Sequence, residues 1–146
     1  MKIVIIPWNS SDYWAGIQLR NRLLKTSAGE NWIYELPLNE QAAIHLVAKI
    51  DEQVVGTMMV CKNSKSEVQL KQVAIDEAYQ GAGIGKKMLC FAEKMVELLG
   101  FTTVYLTGRY PAWGFYERYG YHGFGGSYQK KTISDETIQK KYSVSF

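Results

Sequence analysis

Val73-Ala74-Ile75-Asp76-Glu77-Ala78-Tyr79-Gln80-Gly81-Ala82-Gly83-Ile84-Gly85-Lys86-Lys87-Met88-Leu89 is the stretch on which the reading of this chain turns. An apolar strand ends at Ile75, a loop follows, and the loop runs into an amphipathic helix. Glycines at three alternate positions, Gly81, Gly83 and Gly85, remove the Cβ atoms that would keep a ligand off the backbone. The N–H groups of the first helical turn have no intrahelical acceptors. The helix dipole adds about half a positive charge at that end. The spacing therefore predicts a site for a pyrophosphate or a similar anion.

Working outward, Val68 to Ile75 reads as the strand that delivers the loop, and Ile84 to Leu99 as the helix that leaves it. Ile84, Met88, Ala92, Met95, Val96 and Leu99 form the helix's apolar stripe, with Lys86, Lys87, Glu93, Lys94 and Glu97 outside it. Gly100 is the expected residue just past its end. Upstream, Ile44 to Ile50 and Val54 to Cys61 form a hairpin about Asp51-Glu52-Gln53. Gly56 inside the second strand predicts a bulge or a close backbone approach. Ile3 to Ile6 reads as a strand stopped by Pro7. A helix capped by Ser10, Ser11 or Asp12 follows and ends at Ala28-Gly29-Glu30-Asn31. Its apolar residues Trp14, Ile17, Leu19, Leu23 and Leu24 fall only roughly on one face. Residues 30–42 read as loop or irregular helix. Downstream, Thr103 to Thr107 is a strand, and Ala112 to Tyr119 a short helix with Pro111 in its first turn. Tyr121 begins another strand and Tyr128 to Ile133 one more.

At 146 residues the chain reads as one domain, 1–146, long enough to bury roughly 68–70% of its unfolded surface. Ten Tyr and four Trp suit a lined cleft and equally a β-rich core, the reading taken here. Seventeen basic and 14 acidic residues leave a net charge of +3 with no run of five basic residues. No nucleic-acid partner is expected on that balance. No apolar stretch approaches the roughly 18 residues of a membrane span, so no membrane partner is expected. The four apolar residues before Pro7 are too few for a signal-peptide core. Cys61 and Cys90 form no CxxC pair and read as two buried thiols in a reducing cytoplasm. No metal-ligand spacing is present.

Two known glycine loops fail on spacing. A dinucleotide fingerprint is GxGxxG with an acidic residue after the next strand. This chain has Gly81-x-Gly83-x-Gly85, and that strand ends Leu106-Thr107-Gly108-Arg109. A P-loop needs Gly at 80 and Ser or Thr at 87, where Gln80 and Lys87 stand. What the stretch resembles is the GNAT superfamily of acyl-CoA-dependent N-acetyltransferases. Their central motif is Gln or Arg, two residues, Gly, one residue, then Gly or Ala. Gln80-Gly81-Ala82-Gly83-Ile84-Gly85 fits it after the apolar strand Val73-Ala74-Ile75. Their second motif, Phe-Tyr, three residues, Gly, Phe, is matched by Phe115-Tyr116-Glu117-Arg118-Tyr119-Gly120-Tyr121, with Tyr in place of the final Phe. Ala112, three residues before Phe115, also fits. The likeness is sharp over 68–121 and extends in strand–helix order over nearly the whole chain.

The resemblance implies a mixed α/β fold: a central, twisted, mostly antiparallel sheet flanked by helices, with one parallel strand pair splayed to admit coenzyme A. It implies acetyl-CoA as cosubstrate, no metal, and a small-molecule or peptide amine as acceptor. The backbone of Val73, Ala74 and Ile75 would pair with the pantetheine arm. Gln80, Gly81, Ala82, Gly83, Ile84, Gly85 and Lys86 would hold the pyrophosphate. Tyr116 sits where the family places the general acid. No base is assigned. Glu67, His45 and His122 are candidates by residue type, and both histidines read better as structural. Asp135 and Glu136 read as a solvated turn. The acceptor pocket of such folds is built from segments here numbered about 13–42 and 122–146, where Leu19-Arg20-x-Arg22-x-Leu24 shapes the pocket or faces solvent. The activity implied is a cytoplasmic acetyltransferase. The alternative is a module of the same fold that senses acyl-CoA without catalysis. A homodimer is compatible with the sequence, though no motif argues for one.

Overall fold

The computed structural model describes residues 1–108, 118–124, 128–132 and 143–144. Two compact units divide the chain, Met1–Val60 with Gln72–Phe91, and Cys61–Lys71 with Ala92–Phe146.

The first unit starts with β1 (Lys2–Ile6) and α1 (Ser11–Arg20). Ser10 is the cap: its extended backbone turns the Oγ to accept the Tyr13 N–H at 3.2 Å. The helix then widens into a π segment, Asn21–Lys25, and closes with α2 (Thr26–Ala28). The extra residue in that widened turn explains why the apolar positions of the helix drift off one face. Residues 30–42, which the sequence leaves unplaced, are irregular apart from a 3₁₀ turn, Leu38–Glu40. Next come β2 (Ile44–Ile50) and β3 (Gln53–Lys62). β1 lies antiparallel to β2 with Ile6 opposite His45, and β2 antiparallel to β3 with Ile50 opposite Gln53. The two-residue hairpin has positive φ at both Asp51 and Glu52, as a turn matched to strand twist requires.

Of the two alternatives placed on Gly56, the bulge is the one observed. The register slips there, with Ala48 opposite Gly56 and Lys49 opposite Val54, so Val55 is the extra residue of a bulge. A Cβ on Gly56 would also stand 2.8 Å from Met88 Sδ and 3.0 Å from Ile75 Cδ1. On the next residue, Thr57 Oγ1 would lie 2.7 Å from a Cβ on Gly16 of α1. Adjacent strand residues point to opposite faces, so α1 packs on one face of β3 and Met88 on the other. The core on the α1 side joins Ile6, Tyr13, Ile17, Leu19, Val47, Val54 and Ala74.

β4 (Glu67–Ile75) and α3 (Ile84–Leu98) each pass from one unit to the other. In the second unit β4 pairs in parallel with β5 (Thr103–Gly108), from Glu67 opposite Thr103 to Leu70 opposite Leu106. β6 (His122–Phe124) and β7 (Tyr128–Thr132) are antiparallel to each other, and β7 is antiparallel to β5. A short β8 (Ser143–Val144) adds a second parallel pair with β5. This is the mixed α/β, mostly antiparallel architecture with a parallel β4–β5 pair that the sequence predicts.

Four readings need correction. Leu99 lies beyond α3 and is exposed, so the buried stripe is Ile84, Met88, Leu89, Ala92 and Val96. Glu93, expected on the polar face, is buried. Cys90 is exposed and Cys61 only partly buried, so the thiols are not both core residues. Arg20, expected to shape a pocket or face solvent, is buried with 4% exposure. The predicted helix Ala112–Tyr119 lies, but for Arg118 and Tyr119, outside the described residues, as do Asp135 and Glu136. No helix among the described residues is long and apolar enough to cross a membrane.

Candidate functional site: the end of β4 and the glycine loop

The parallel register with β5 covers Glu67–Leu70, yet β4 runs on to Ile75. Between the two parts Gln72 takes φ +56°, a left-handed conformation uncommon for a residue with a side chain. Past it, Ala74 is buried in the α1-side core, while Val73 and Ile75 are half-buried. Ala74 therefore anchors this segment in the core.

The turn after Ile75 is pinned at each step. The Asp76 N–H donates to the Val55 carbonyl at 2.8 Å, so the bulge in β3 supplies the acceptor that ends β4. Asp76 Oδ1 accepts the Ala78 N–H at 3.0 Å and caps a 3₁₀ turn, Glu77–Tyr79. The Tyr79 carbonyl then accepts the Ala82 N–H at 3.3 Å. Gln80 Nε2 donates back to the Ile75 carbonyl at 3.0 Å. Gln80, expected at the pyrophosphate, thus spends its side-chain amide tying the loop to the strand end.

Gly81 and Gly83 have φ of +83° and +82°, and a Cβ on either meets nothing within 4 Å. Close packing does not demand glycine here; the backbone conformation does, and it leaves the loop open to a ligand. The Gly83 carbonyl accepts the Lys87 N–H at 3.1 Å and so begins α3. The helix itself offers no acceptor to the N–H groups of Gly83, Ile84 and Gly85. Ile84 buries its side chain, so only its main chain can serve a ligand; Lys86 and Lys87 are exposed. An anion the size of a phosphate fits this loop on both charge and space. Val73–Ile75 and Gln80–Lys86 belong to one unit. Tyr116 lies outside the described residues.

The sequence did not signal what stands on the α1 side of this unit. Arg20 Nη1 and Nη2 donate to Glu40 Oε1 and Oε2 at 2.8 and 2.6 Å, a bidentate pair with both partners buried. The Tyr13 hydroxyl also donates to Glu40 Oε1, at 2.8 Å. His45 Nε2 donates to the Glu40 carbonyl at 2.8 Å, and its ring meets Tyr13 edge to face, so this histidine is structural, as expected. Burial raises the Glu40 pKa, but the hydrogen bond and charge of Arg20, with the Tyr13 hydroxyl, outweigh it and hold the carboxyl below its ordinary value. Burial, followed by the bond and charge of Glu40, drives the Tyr13 phenol well above its ordinary value.

Next to this cluster lies a hollow of about 400 Å3, lined by Trp14, Ile17, Arg22, Trp32, Ile33 and Tyr34 among others. Arg22 Nε reaches Glu77 Oε1 at 3.0 Å and its Nη2 lies 3.4 Å from Asp76 Oδ2, linking the hollow's wall to the turn that leads into the glycine loop. Glu40 and Trp32 sit in the irregular segment, where no periodicity marks a residue as buried or as part of a wall.

A sequence model of the acetyltransferase (GNAT) family matches residues 7–121, most of the chain. The chain belongs to that family. Solved structures share its fold. An aminoglycoside 6'-N-acetyltransferase complexed with coenzyme A is 17% identical, with 94% of this chain and 99% of that one covered and a TM-score of 0.79. The PaiA N-acetyltransferase of Thermoplasma acidophilum, also with coenzyme A, is 20% identical, with 90% and 99% covered and a TM-score of 0.72. A GNAT acetyltransferase of Staphylococcus aureus is 21% identical, with 84% and 86% covered and a TM-score of 0.70. GNAT membership supports an acyltransferase.

Proposed function

We propose that this chain is a cytoplasmic N-acetyltransferase that moves an acetyl group from acetyl-CoA to a primary amine by direct attack, without a metal. The observation that supports this most is the end of β4, which runs on past its described register with β5 and turns at once into an open glycine loop. In this reading the backbone of Val73, Ala74 and Ile75 aligns the pantetheine arm, and an N–H near Val73 or Ala74 polarises the carbonyl under attack. Gln80 holds the loop against the strand, while the backbone from Gly81 to Lys86 takes the pyrophosphate. Acetyl-CoA, when bound, supplies an activated acyl thioester.

The acceptor must lose a proton, since an alkylamine with a pKa near 10.4 is almost wholly charged at neutral pH. Glu40 is a poor base for it, because three donors hold its carboxylate and depress its basicity. No base is assigned. In this reading Tyr116 holds the proton that returns to the departing sulfur, a task within reach of a phenol of pKa about 10.

Thiol release from acetyl-CoA with a panel of amines tests the reading. Steady turnover is expected, and Tyr116→Phe should lower it by roughly 10²–10⁴-fold, the range of acid–base catalysis, with acetyl-CoA affinity unchanged. Unchanged turnover would remove Tyr116 from the mechanism. Acetyl-CoA binding without turnover on any amine would contradict the enzyme and leave a sensor.

A further inference from the structure

We propose that the hollow beside α1 takes the acceptor's body, and that the acceptor is an arylalkylamine, a primary amine on a flat aromatic frame. The inference rests on the acetyltransferase reading above and adds the substrate class.

The volume comes first. About 400 Å3 falls within the roughly 300–1,000 Å3 of small-molecule sites. The walls come next. Trp14, Trp32 and Tyr34 all line the hollow, and Trp32 and Tyr34 are 45% and 79% exposed. Large aromatic rings left open beside a hollow are a cost that a flat apolar ligand would remove.

These rings are also fixed in place. Trp14 Nε1 donates to Asn9 Oδ1, and Trp32 Nε1 to Thr26 Oγ1, each at 2.9 Å. Asn21 is buried in the π segment and grips both backbone groups of Ile33. Its Oδ1 accepts the Ile33 N–H at 2.8 Å, and its Nδ2 donates to the Ile33 carbonyl at 2.9 Å. Trp32 and Tyr34 flank Ile33 in sequence, and their ring centres are 6.5 Å apart. One amide thus sets the position of two walls, which makes Asn21 a positioning residue.

Charge decides between acceptor classes. Among the described residues lining this hollow there is no carboxylate, and the one charged group is the Arg22 guanidinium. An acceptor bearing several ammonium groups would find no carboxylate in this lining to pair with, Arg22 being itself held by Asp76 and Glu77. Glu30 stands nearby with Trp32 and Tyr34, but its carboxylate already accepts from Lys25 Nζ at 3.0 Å. An acceptor with one amine and an aromatic body fits this lining; an aminoglycoside or a polyamine does not. Arg22, bonded to Asp76 and Glu77, joins the hollow's wall to the turn after Ile75.

The test compares tryptamine and phenethylamine with kanamycin and spermidine on the full chain, after acetyl-CoA binding is measured by calorimetry. Tryptamine or phenethylamine should exceed both polycations in kcat/KM by at least tenfold. Trp32→Ala should raise the KM for tryptamine at least tenfold with little change in kcat and none in acetyl-CoA affinity. Asn21→Ala should do the same through the displaced walls, and Asn21→Asp, which keeps the acceptor for the Ile33 N–H, should recover part of the loss. If acetyl-CoA binds and kanamycin or spermidine is preferred, the inference is overturned while the enzyme reading stands. If acetyl-CoA binds but no amine turns over, calorimetry of phenethylamine with coenzyme A present decides. Binding lost in Trp32→Ala supports the hollow, and no binding overturns it. If acetyl-CoA itself fails to bind, the underlying reading falls and takes this one with it.

Discussion

The glycine loop after β4 and the hollow beside α1 lie in the same unit but are built from different materials. The loop is made of main chain: left-handed glycines, a carbonyl held by Gln80, and N–H groups that the start of α3 leaves without helical acceptors. The hollow is made of side chains drawn from α1, a π segment and an irregular stretch; a buried Arg20–Glu40 pair is the brace between α1 and the 3₁₀ turn that follows that stretch. A backbone site depends on a few residue types at fixed spacing. A side-chain site depends on contacts that no local period encodes, such as Asn21 with Ile33 and Arg20 with Glu40. The two should therefore break in different ways.

The largest effect should come from the brace. Glu40→Ala leaves a buried guanidinium without its counter-charge and should cost about 3–5 kcal/mol in urea unfolding. The double variant Arg20→Met with Glu40→Leu should recover most of that loss, because a buried pair is often replaceable by apolar residues of similar size. A double variant as unstable as the single would show that the cluster holds more than its own charges.

The same brace should set the pH limits of stability. The Glu40 pKa is depressed in the folded chain, so its contribution is present above the ordinary value of 4.5 and is lost as pH falls below it. The Tyr13 pKa is raised, so its contribution is present below the ordinary 10.0 and is lost as pH rises beyond it. Tyr13→Phe should flatten the alkaline limb of a thermal-melt profile and leave the acid limb in place.

The loop should respond more modestly in stability and more sharply in binding. Gly83→Ala puts a Cβ into open space at φ +82°, so only strain is added, about 1–2 kcal/mol. Gln80→Leu removes one hydrogen bond to Ile75 and should cost about 0.5–1.5 kcal/mol. It should also raise the KM for acetyl-CoA, since the loop loses its tie to the strand. The smallest effect belongs to Arg22→Ala, where a half-exposed pair is worth about 0.2–1 kcal/mol. A larger loss there would mean that the link from the hollow to Asp76 and Glu77 supports the fold and not only the site.

The same contrast governs how much could be read in advance. Strand order, the hairpin, the Gly56 bulge, the loop and α3 were legible because apolar period and glycine placement encode them locally. The parallel β4–β5 pair was legible through the family resemblance. The π segment was legible only as a drifting apolar face, since no residue type requires the extra turn. Arg20 was ambiguous because an arginine between apolar neighbours reads equally as a solvated cation, and its partner lies in a segment without period. The left-handed Gln72 carries no sequence mark at all. The proposed donor site was therefore visible from the motif, whereas Trp14, Trp32 and Tyr34, the proposed acceptor walls, emerged only once the chain was folded.

Calorimetry of acetyl-CoA on the unaltered chain and on Gly83→Trp tests the central claim most directly. The expected result is saturable binding by the unaltered chain that weakens more than a hundredfold in the variant, with both proteins folded by circular dichroism. Absence of binding by the unaltered chain, or equal binding by the two, would contradict the assignment of the end of β4 and its glycine loop to coenzyme A.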